Sequence, residues 1–168
     1  MKVSKENIIQ NVLPPELKNE IEKGFFEGDV LKEKIVNYVE GYAANLKKCN
    51  ISQASIRKIY ESFKNLQLRM HQELMKNLSD NLTSADFEKA EEEAYRRIAP
   101  FLKLMRSKSR YAVEKKKGEI GKKDDNEKEG YQSLNEFIDL CINNIKTKKD
   151  FDAFMDLFEC IVANLKEA

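Results

Sequence analysis

The sequence predicts an all-α protein, built as a single-domain bundle of about five or six helices. Only six glycines and three prolines occur among the 168 residues, and 35% of the residues are charged, which is typical of helices with one solvated face. Apolar residues recur every three or four positions through most of the chain. No segment shows the convincing period-two alternation of a half-buried strand.

The first 29 residues are predicted to form an amphipathic N-terminal extension to a helical-bundle domain that covers residues 30–168. A proline pair ending at Pro15 opens a short helix. Gly24 and Gly28 are expected to end that helix, because glycine weakens helix interiors.

Two regular helices are predicted to follow this extension. The first is indicated by apolar spacing over residues 31–46, and the second by apolar spacing over residues 56–74. Asn50 and Ser52 precede the second helix, and their side chains are suited to capping its amino end.

A long third segment is predicted from about Ala85 to Lys117, preceded by Thr83 as a possible cap. Pro100 should kink or split it, because proline removes a backbone donor and clashes with the preceding turn. Residues 115–130 contain three glycines and almost no apolar side chains, so we expect a mobile surface loop there.

Two helices are predicted to close the chain, and both carry apolar stripes rich in phenylalanine and isoleucine. Ser133 and Glu136 have the spacing of a capping box for the first, and Asp150 is the expected cap of the second. We interpret the phenylalanines of the last helix as core packing.

The sequence contains no recognisable active site, so we expect a protein that is not an enzyme and needs no cofactor. Its three cysteines form no CxxC pair, and His71 is the only histidine, which excludes the usual zinc and two-histidine metal signatures. Phosphate-binding glycine loops and nucleophile motifs are also absent. Without a long apolar stretch or a signal-peptide core, the chain is expected to be cytoplasmic and not bound to membranes.

Positive charge is concentrated in one segment of an otherwise slightly acidic chain. Residues 96–117 hold nine basic side chains and one acidic one, although the formal net charge of the whole protein is +1. A solvated helix without a charged partner would mix both signs, so this segment favours a polyanion as ligand.

A helical wheel sorts these cations into two strips. The first strip lies opposite the apolar face and comprises Arg96, Lys103, Arg106, Arg110 and Lys117. The second strip comprises Arg97, Lys108 and Lys115, and Tyr111 lies between the two strips. Residues seven apart rise about 10 Å, which suits contact with successive phosphates but does not read bases. The alternative is a solvated face that pairs with the acidic C-terminal helices through Asp139, Asp152 and Asp156.

Three segments resemble the small subunits of type III-A CRISPR effector (Csm) complexes. N-I-S-Q-A-S-I-R-K-I (50–59) is similar to the "T-x-S-Q-I-R-K" helix start of that family. M-R-S-K-S-R-Y-A-V-E-K (105–115) is similar to "L-[KR]-x-K-L-x-Y-x-x-x-R", and F-D-A-F-M-D-L-F-E-C-I-V-A-N (151–164) resembles the last family helix. Their order and spacing agree over roughly residues 30–166.

The resemblance implies a non-catalytic subunit that stacks with copies of itself along a CRISPR interference complex and contacts guide and target RNA. Its partners would be RNA and the other subunits of the complex. Motif matches and the charge pattern together give these candidate RNA-binding residues: Arg57, Lys58, Lys103, Arg106, Lys108, Arg110, Tyr111 and Lys115.

These residues also have interpretations that involve no ligand. Arg57 and Lys58 could be solvated residues early in a helix, and Tyr111 could pack at the edge of the core. The alternative function is a protein-interaction adaptor that docks its basic face on an acidic partner without touching nucleic acid. RNA binding that weakens steeply with salt, and that is lost when Arg106 and Arg110 are replaced by alanine, would distinguish the two.

Overall fold

The computed structural model describes residues 9–78 and 83–165, and it confirms the all-α prediction. Six helices and one short hairpin follow in order within these residues. Their bounds are α1 Pro15–Glu22, β1 Phe26–Glu27, β2 Val30–Leu31, α2 Glu33–Lys48, α3 Gln53–Lys76, α4 Ser84–Ile120, α5 Asp125–Asn144 and α6 Lys148–Asn164. The antiparallel hairpin pairs Phe26 with Leu31, and no period-two pattern in the sequence indicated it.

The N-terminal segment is attached to the bundle rather than separate from it. Pro15 occupies the first turn of α1, as expected, and Gly24 adopts a φ of 107° just after the helix ends. Leu17 and Ile21 are fully buried, because α1 packs against α2 and α5. The division of the chain at residue 30 stays a prediction.

Local capping explains where three of the helices begin. Ser52 accepts a hydrogen bond from the backbone N–H of Ser55 at 3.2 Å, which confirms the predicted cap of α3. Thr83 and Asp86 form a reciprocal capping box at α4. The predicted cap of α6 was wrong: Thr147 accepts from the Asp150 N–H at 3.2 Å and begins the helix three residues earlier.

The predicted loop at 115–130 was wrong in extent, because only residues 121–124 separate α4 from α5. The lysines at 115–117 continue α4, and lysine is a good helix former. Gly130 is in α5 for close packing: a Cβ there would lie 2.7 Å from Ile51 Cδ1. Because Gly130 follows two other glycines and many charged residues in the sequence, this segment has the composition of a loop.

Helix α5 therefore begins earlier than predicted, and the Ser133/Glu136 capping box was wrong. Asp124 caps the helix instead, through the backbone N–H of Glu127 at 3.0 Å. Ser133 is buried in the middle of α5, where its hydroxyl donates to the Gly130 carbonyl at 2.6 Å and lies 2.9 Å from the Tyr42 hydroxyl.

The core forms where α3, α5 and α6 meet, and phenylalanine rings fill it. Phe63 and Phe154 meet edge to face at 5.4 Å, and Phe154 contacts Phe158 in the same way at 5.7 Å. Edge-to-face pairs add stability beyond their buried area. The stripe of α6 is therefore core packing, as predicted.

Helix α4 is the longest element, and its 37 residues extend roughly 55 Å. It continues through Pro100, so the predicted split does not occur. One side of α4 packs against α3 and another against α5, with smaller contacts to α6, and the remaining surface faces solvent. This placement determines which of its cations are available to a ligand.

Candidate nucleic-acid interface

The first strip of cations on α4 is mostly engaged in ion pairs or hydrogen bonds with neighbouring side chains. The Arg110 guanidinium lies 2.8 Å from the Asp139 carboxylate on α5. Arg106 lies 4.0 Å from the same carboxylate and donates to Asn143 Oδ1 at 2.8 Å. Lys117 donates to Gln132 at 2.7 Å. The interpretation of these cations as partners of the acidic helix α5 is thus correct for Asp139.

At the amino-terminal part of α4, Arg96 of this strip and Arg97 of the second strip are both paired with carboxylates. The Arg96 guanidinium makes two hydrogen bonds to Glu93, at 2.7 and 2.9 Å, and Arg97 donates to the same carboxylate at 3.0 Å. Hydrogen bonds from Arg96 and Arg97 lower the pKa of the Glu93 carboxyl to about 2. Glu93 is therefore ionised throughout the physiological range and neutralises part of the local charge.

Lys103 differs from the rest of the first strip. It is exposed, with no ion-pair partner among residues 9–78 and 83–165, and it borders a groove of 760 Å³ between α4 and the α5–α6 connection. Glu88, Glu91 and Lys148 line the same groove, so cations and carboxylates are mixed there. Because its carboxylates would repel phosphates, this groove is a poor candidate for binding a polyanion.

The second strip lies on the other side of α4. Arg97 of this strip pairs with Glu93 and with Glu73 of α3, but its other two members are unpaired in the described residues. Lys108 and Lys115 are exposed, and neither has an ion-pair partner in the part of the chain that the structure describes. Lys115 lines a pocket between α3 and α4 together with Lys58, which is also exposed and unpaired there. Lys108 lines the next pocket along the same two helices, together with Arg69.

These residues form one surface, which we call the α3–α4 face: Lys58, Arg69, Lys108, Tyr111 and Lys115. The two helices run antiparallel, since residues early in α3 share a pocket with residues late in α4. The face therefore carries four cations in succession along two neighbouring pockets. Such a row can contact a polyanion without reading its sequence.

Tyr111 is 72% exposed, so its interpretation as a core-edge residue was wrong. Its position on α4 places it between Lys108 and Lys115, one turn from each. Leu104 and Phe101 continue the exposed surface at 58% and 42%. An exposed aromatic ring between cations can stack on a base, as in proteins that bind single-stranded nucleic acid.

Arg57 and Lys58 are adjacent in sequence but differ in their surroundings. The Arg57 guanidinium pairs with Glu61 at 3.0 Å, one turn further along α3. About 100° of helix rotation separates it from Lys58, which lies in the groove against α4. Of this predicted pair, the structure brings only Lys58 together with the α4 lysines.

Arg69 was not among the residues predicted from the sequence, and its guanidinium lies 4.8 Å from the centre of the Phe101 ring. This cation–π contact joins α3 to α4 at the surface. Arg69 lies eleven residues after Lys58, about three helical turns, so both side chains lie on the same side of α3. A helical wheel of α3 would therefore have predicted Arg69 as well.

Among residues 9–78 and 83–165, the cysteine and histidine side chains are not part of any group that could hold a metal ion. Cys49 and Cys141 are buried, and burial raises the pKa of both thiols, which keeps them protonated. His71 lies on the bundle surface, 3.5 Å from Asp152. Within the described residues no group of three potential ligands could hold a metal ion, and no helix is both long and apolar enough to cross a membrane.

One protein family matches the part of the chain that contains these helices. The family profile described as Csm2 Type III-A matches residues 31–167, which is most of the chain and includes both α3 and α4. No curated protein and no solved structure matches the chain. The chain belongs to the Csm2 Type III-A family, whose members are small subunits of the type III-A CRISPR Csm complex.

Proposed function

We propose that this protein is a non-catalytic subunit that contacts the phosphate backbone of guide and target RNA within a type III-A interference complex. Membership of the Csm2 family already supports assembly with other Csm subunits. The finer parts of the proposal are contact with RNA, stacking with copies of itself along the complex, and the absence of a catalytic role. The α3–α4 face supports the first of these.

The single observation that carries the proposal is the row of unpaired lysines on that face. Lys58, Lys108 and Lys115 keep their ammonium groups free of carboxylates within the described residues. Lys108 and Lys115 are seven residues apart on one helix, a rise of about 10 Å, which matches contact with separate phosphates of a strand. Neutralising phosphates releases counterions, and this supplies affinity without sequence preference.

The remaining predicted residues take a secondary part in the proposed binding. Arg106 and Arg110 are held by Asp139, but exposed ion pairs contribute only about 0–1 kcal/mol, so a phosphate can compete for these guanidiniums. Arg57 is paired in the same weak way with Glu61. Lys103 lies near the far side of α4 and would meet RNA only if the strand crossed that helix.

Binding of a labelled mixed-sequence RNA to the full chain, measured over a series of salt concentrations, tests the proposal. We expect the logarithm of the affinity to fall linearly with the logarithm of salt concentration, and the affinity to be the same for unrelated sequences. An affinity that is absent at low salt, or that does not respond to salt, would contradict it.

A second candidate is an adaptor that docks this face on an acidic protein. The exposure of Leu104 and Phe101 beside Arg69 and Lys108 favours it, because apolar side chains add to protein interfaces but contribute little to phosphate binding. Replacing Leu104 by serine distinguishes the two: RNA affinity should be unchanged, whereas the affinity for a protein partner should fall.

A further inference from the structure

A buried hydroxyl without a partner lies beside the α3–α4 face. Tyr131 of α5 is 1% exposed, and its hydroxyl has no hydrogen-bond partner within the described part of the chain. The other fully buried tyrosine, Tyr42, has its hydroxyl 2.9 Å from Ser133. A buried polar group without a partner is destabilising and uncommon in folded proteins, so the Tyr131 hydroxyl requires an explanation.

Tyr131 lines the pocket between α3 and α4 that also contains Lys58 and Lys115. We call it the Tyr131 pocket; its volume is 240 Å³. Lys116 lines it as well and is 3.9 Å from Glu119, its only ion-pair partner in the described residues. Around this pocket there are thus three ammonium groups and one carboxylate.

The chemistry of this lining selects an anion. Ammonium groups can only donate hydrogen bonds, and the phenol of Tyr131 has a proton to donate. Ile59 and Val113 contribute apolar walls, which exclude water and strengthen each interaction with a charged ligand. The local charge of about +2 exceeds what a single carboxylate would neutralise, so a phosphate with several acceptor oxygens fits better.

We propose that the Tyr131 pocket holds one phosphate group of the RNA strand bound along the α3–α4 face. Lys58 and Lys115 neutralise the phosphate, and the Tyr131 hydroxyl donates a hydrogen bond to one of its oxygens. This inference rests on the proposed function, since it assigns one anchoring point on the same surface. It gives the hydroxyl a partner that is present only when RNA is bound.

Two conservative substitutions of buried tyrosines, Tyr131→Phe and Tyr42→Phe, test the proposal, because it predicts opposite effects of the two on melting temperature and RNA affinity. Tyr131→Phe removes a hydroxyl that has no partner in the free protein, so the melting temperature should stay the same or rise. Its affinity for labelled mixed-sequence RNA should fall by about fivefold to tenfold, because a hydrogen bond to a charged group is lost. Tyr42→Phe should do the reverse: it should lower the melting temperature and leave RNA affinity unchanged.

If Tyr131→Phe binds RNA as tightly as the wild type, the pocket holds no phosphate and the inference is overturned. Lys58→Ala and Lys115→Ala, measured in the same series, then separate this failure from that of the proposed function. A loss of affinity in these variants keeps the α3–α4 face as the RNA surface, whereas unchanged affinity removes it as well.

Free phosphate is the other source of the same chemistry, and thermal melting distinguishes it. Inorganic phosphate, compared with chloride at equal ionic strength, should not raise the melting temperature of the wild type if the pocket requires an RNA strand. A rise in the wild type that is lost in Tyr131→Phe, together with an RNA affinity that Tyr131→Phe leaves unchanged, would assign the pocket to the free ion and overturn the role in RNA binding.

Discussion

The two charged sides of helix α4 look alike in sequence but differ in what surrounds them. On the side toward α5, Arg106 and Arg110 share the carboxylate of Asp139. On the side toward α3, Lys108 and Lys115 have no carboxylate partner among the described residues. The density of charge along a helix therefore does not determine which cations a ligand can reach. The carboxylates of the neighbouring helices decide it.

The largest effect should come from removing the unpaired lysines of the α3–α4 face. We expect the triple variant Lys58→Ala, Lys108→Ala and Lys115→Ala to lose roughly a hundredfold in RNA affinity at low salt, because three phosphate contacts disappear. The slope of log affinity against log salt should become shallower by about 2. Fluorescence anisotropy over a salt series measures both quantities.

The matched control replaces two cations on the other side of the same helix. The sequence alone predicted that RNA binding would be lost in Arg106→Ala with Arg110→Ala. Because Asp139 pairs with both guanidiniums in the structure, we now expect this double variant to cost roughly tenfold less than the triple variant. Circular dichroism should show unchanged helicity in both variants. If the arginine double variant loses more affinity than the lysine triple variant, RNA binds on the α5 side and the comparison is reversed.

The fold could be predicted from the sequence because helical periodicity is local and strong. The apolar stripes of α3 and α6 recur at three and four residues, and Ser52 has the side chain that a cap requires. The start of α5 was missed because its first five residues are polar or charged and the sixth is Gly130. That glycine is needed for contact with Ile51, a residue far away in sequence.

The candidate site was only partly predictable for a related reason. A helical wheel orders the cations of one helix correctly, and it placed Lys108 and Lys115 on one strip. It gives no information about the neighbouring helix, so pairing with Asp139 stayed an alternative in the sequence analysis, and the structure shows that Asp139 pairs with Arg106 and Arg110. Nor could it show that Lys58 of α3 would share a pocket with Lys115.

Substitutions of Tyr111 test whether the α3–α4 face contacts bases as well as phosphates. Tyr111→Ala should lower affinity for single-stranded RNA by about tenfold if the exposed ring stacks on a base. Tyr111→Phe keeps the ring and should bind as tightly as the wild type. Binding assays with single-stranded and duplex RNA check this, and equal losses in Ala and Phe would indicate contact through the hydroxyl instead.

Asp139→Asn should make the two sides of α4 more alike, because it releases both arginines of the first strip. We expect RNA affinity to rise by about threefold and the salt slope to steepen by up to about 1, as further phosphate contacts become possible. Asp156→Asn makes the same change in net charge on α6 and serves as the control. Equal gains in both variants would show that net charge, and not the released arginines, raises affinity.

The smallest expected effect is on the melting temperature, which should change in opposite directions in Asp139→Asn and Asp156→Asn. Partial desolvation, followed by the neighbouring carboxylates of Asp152 and Glu159, raises the pKa of Asp156 above its usual value. The unfolded chain ionises this group more readily, so folding is penalised at neutral pH. That penalty is relieved as the pH falls through the raised pKa, and it is absent below the unfolded value.

Asp156→Asn should therefore raise the melting temperature at pH 7 by about 1–2 °C. This corresponds to an increase in the free energy of unfolding of about 0.5 kcal/mol or less, as expected for a surface group. The gain should vanish by about pH 3, where the wild-type carboxyl is protonated in both states. Asp139→Asn, which loses its pairing with Arg106 and Arg110, should lower the melting temperature at pH 7. Thermal melts at both pH values measure these differences, and a fall for both variants at pH 7 would mean that Asp156 is stabilised by a partner in the same way as Asp139.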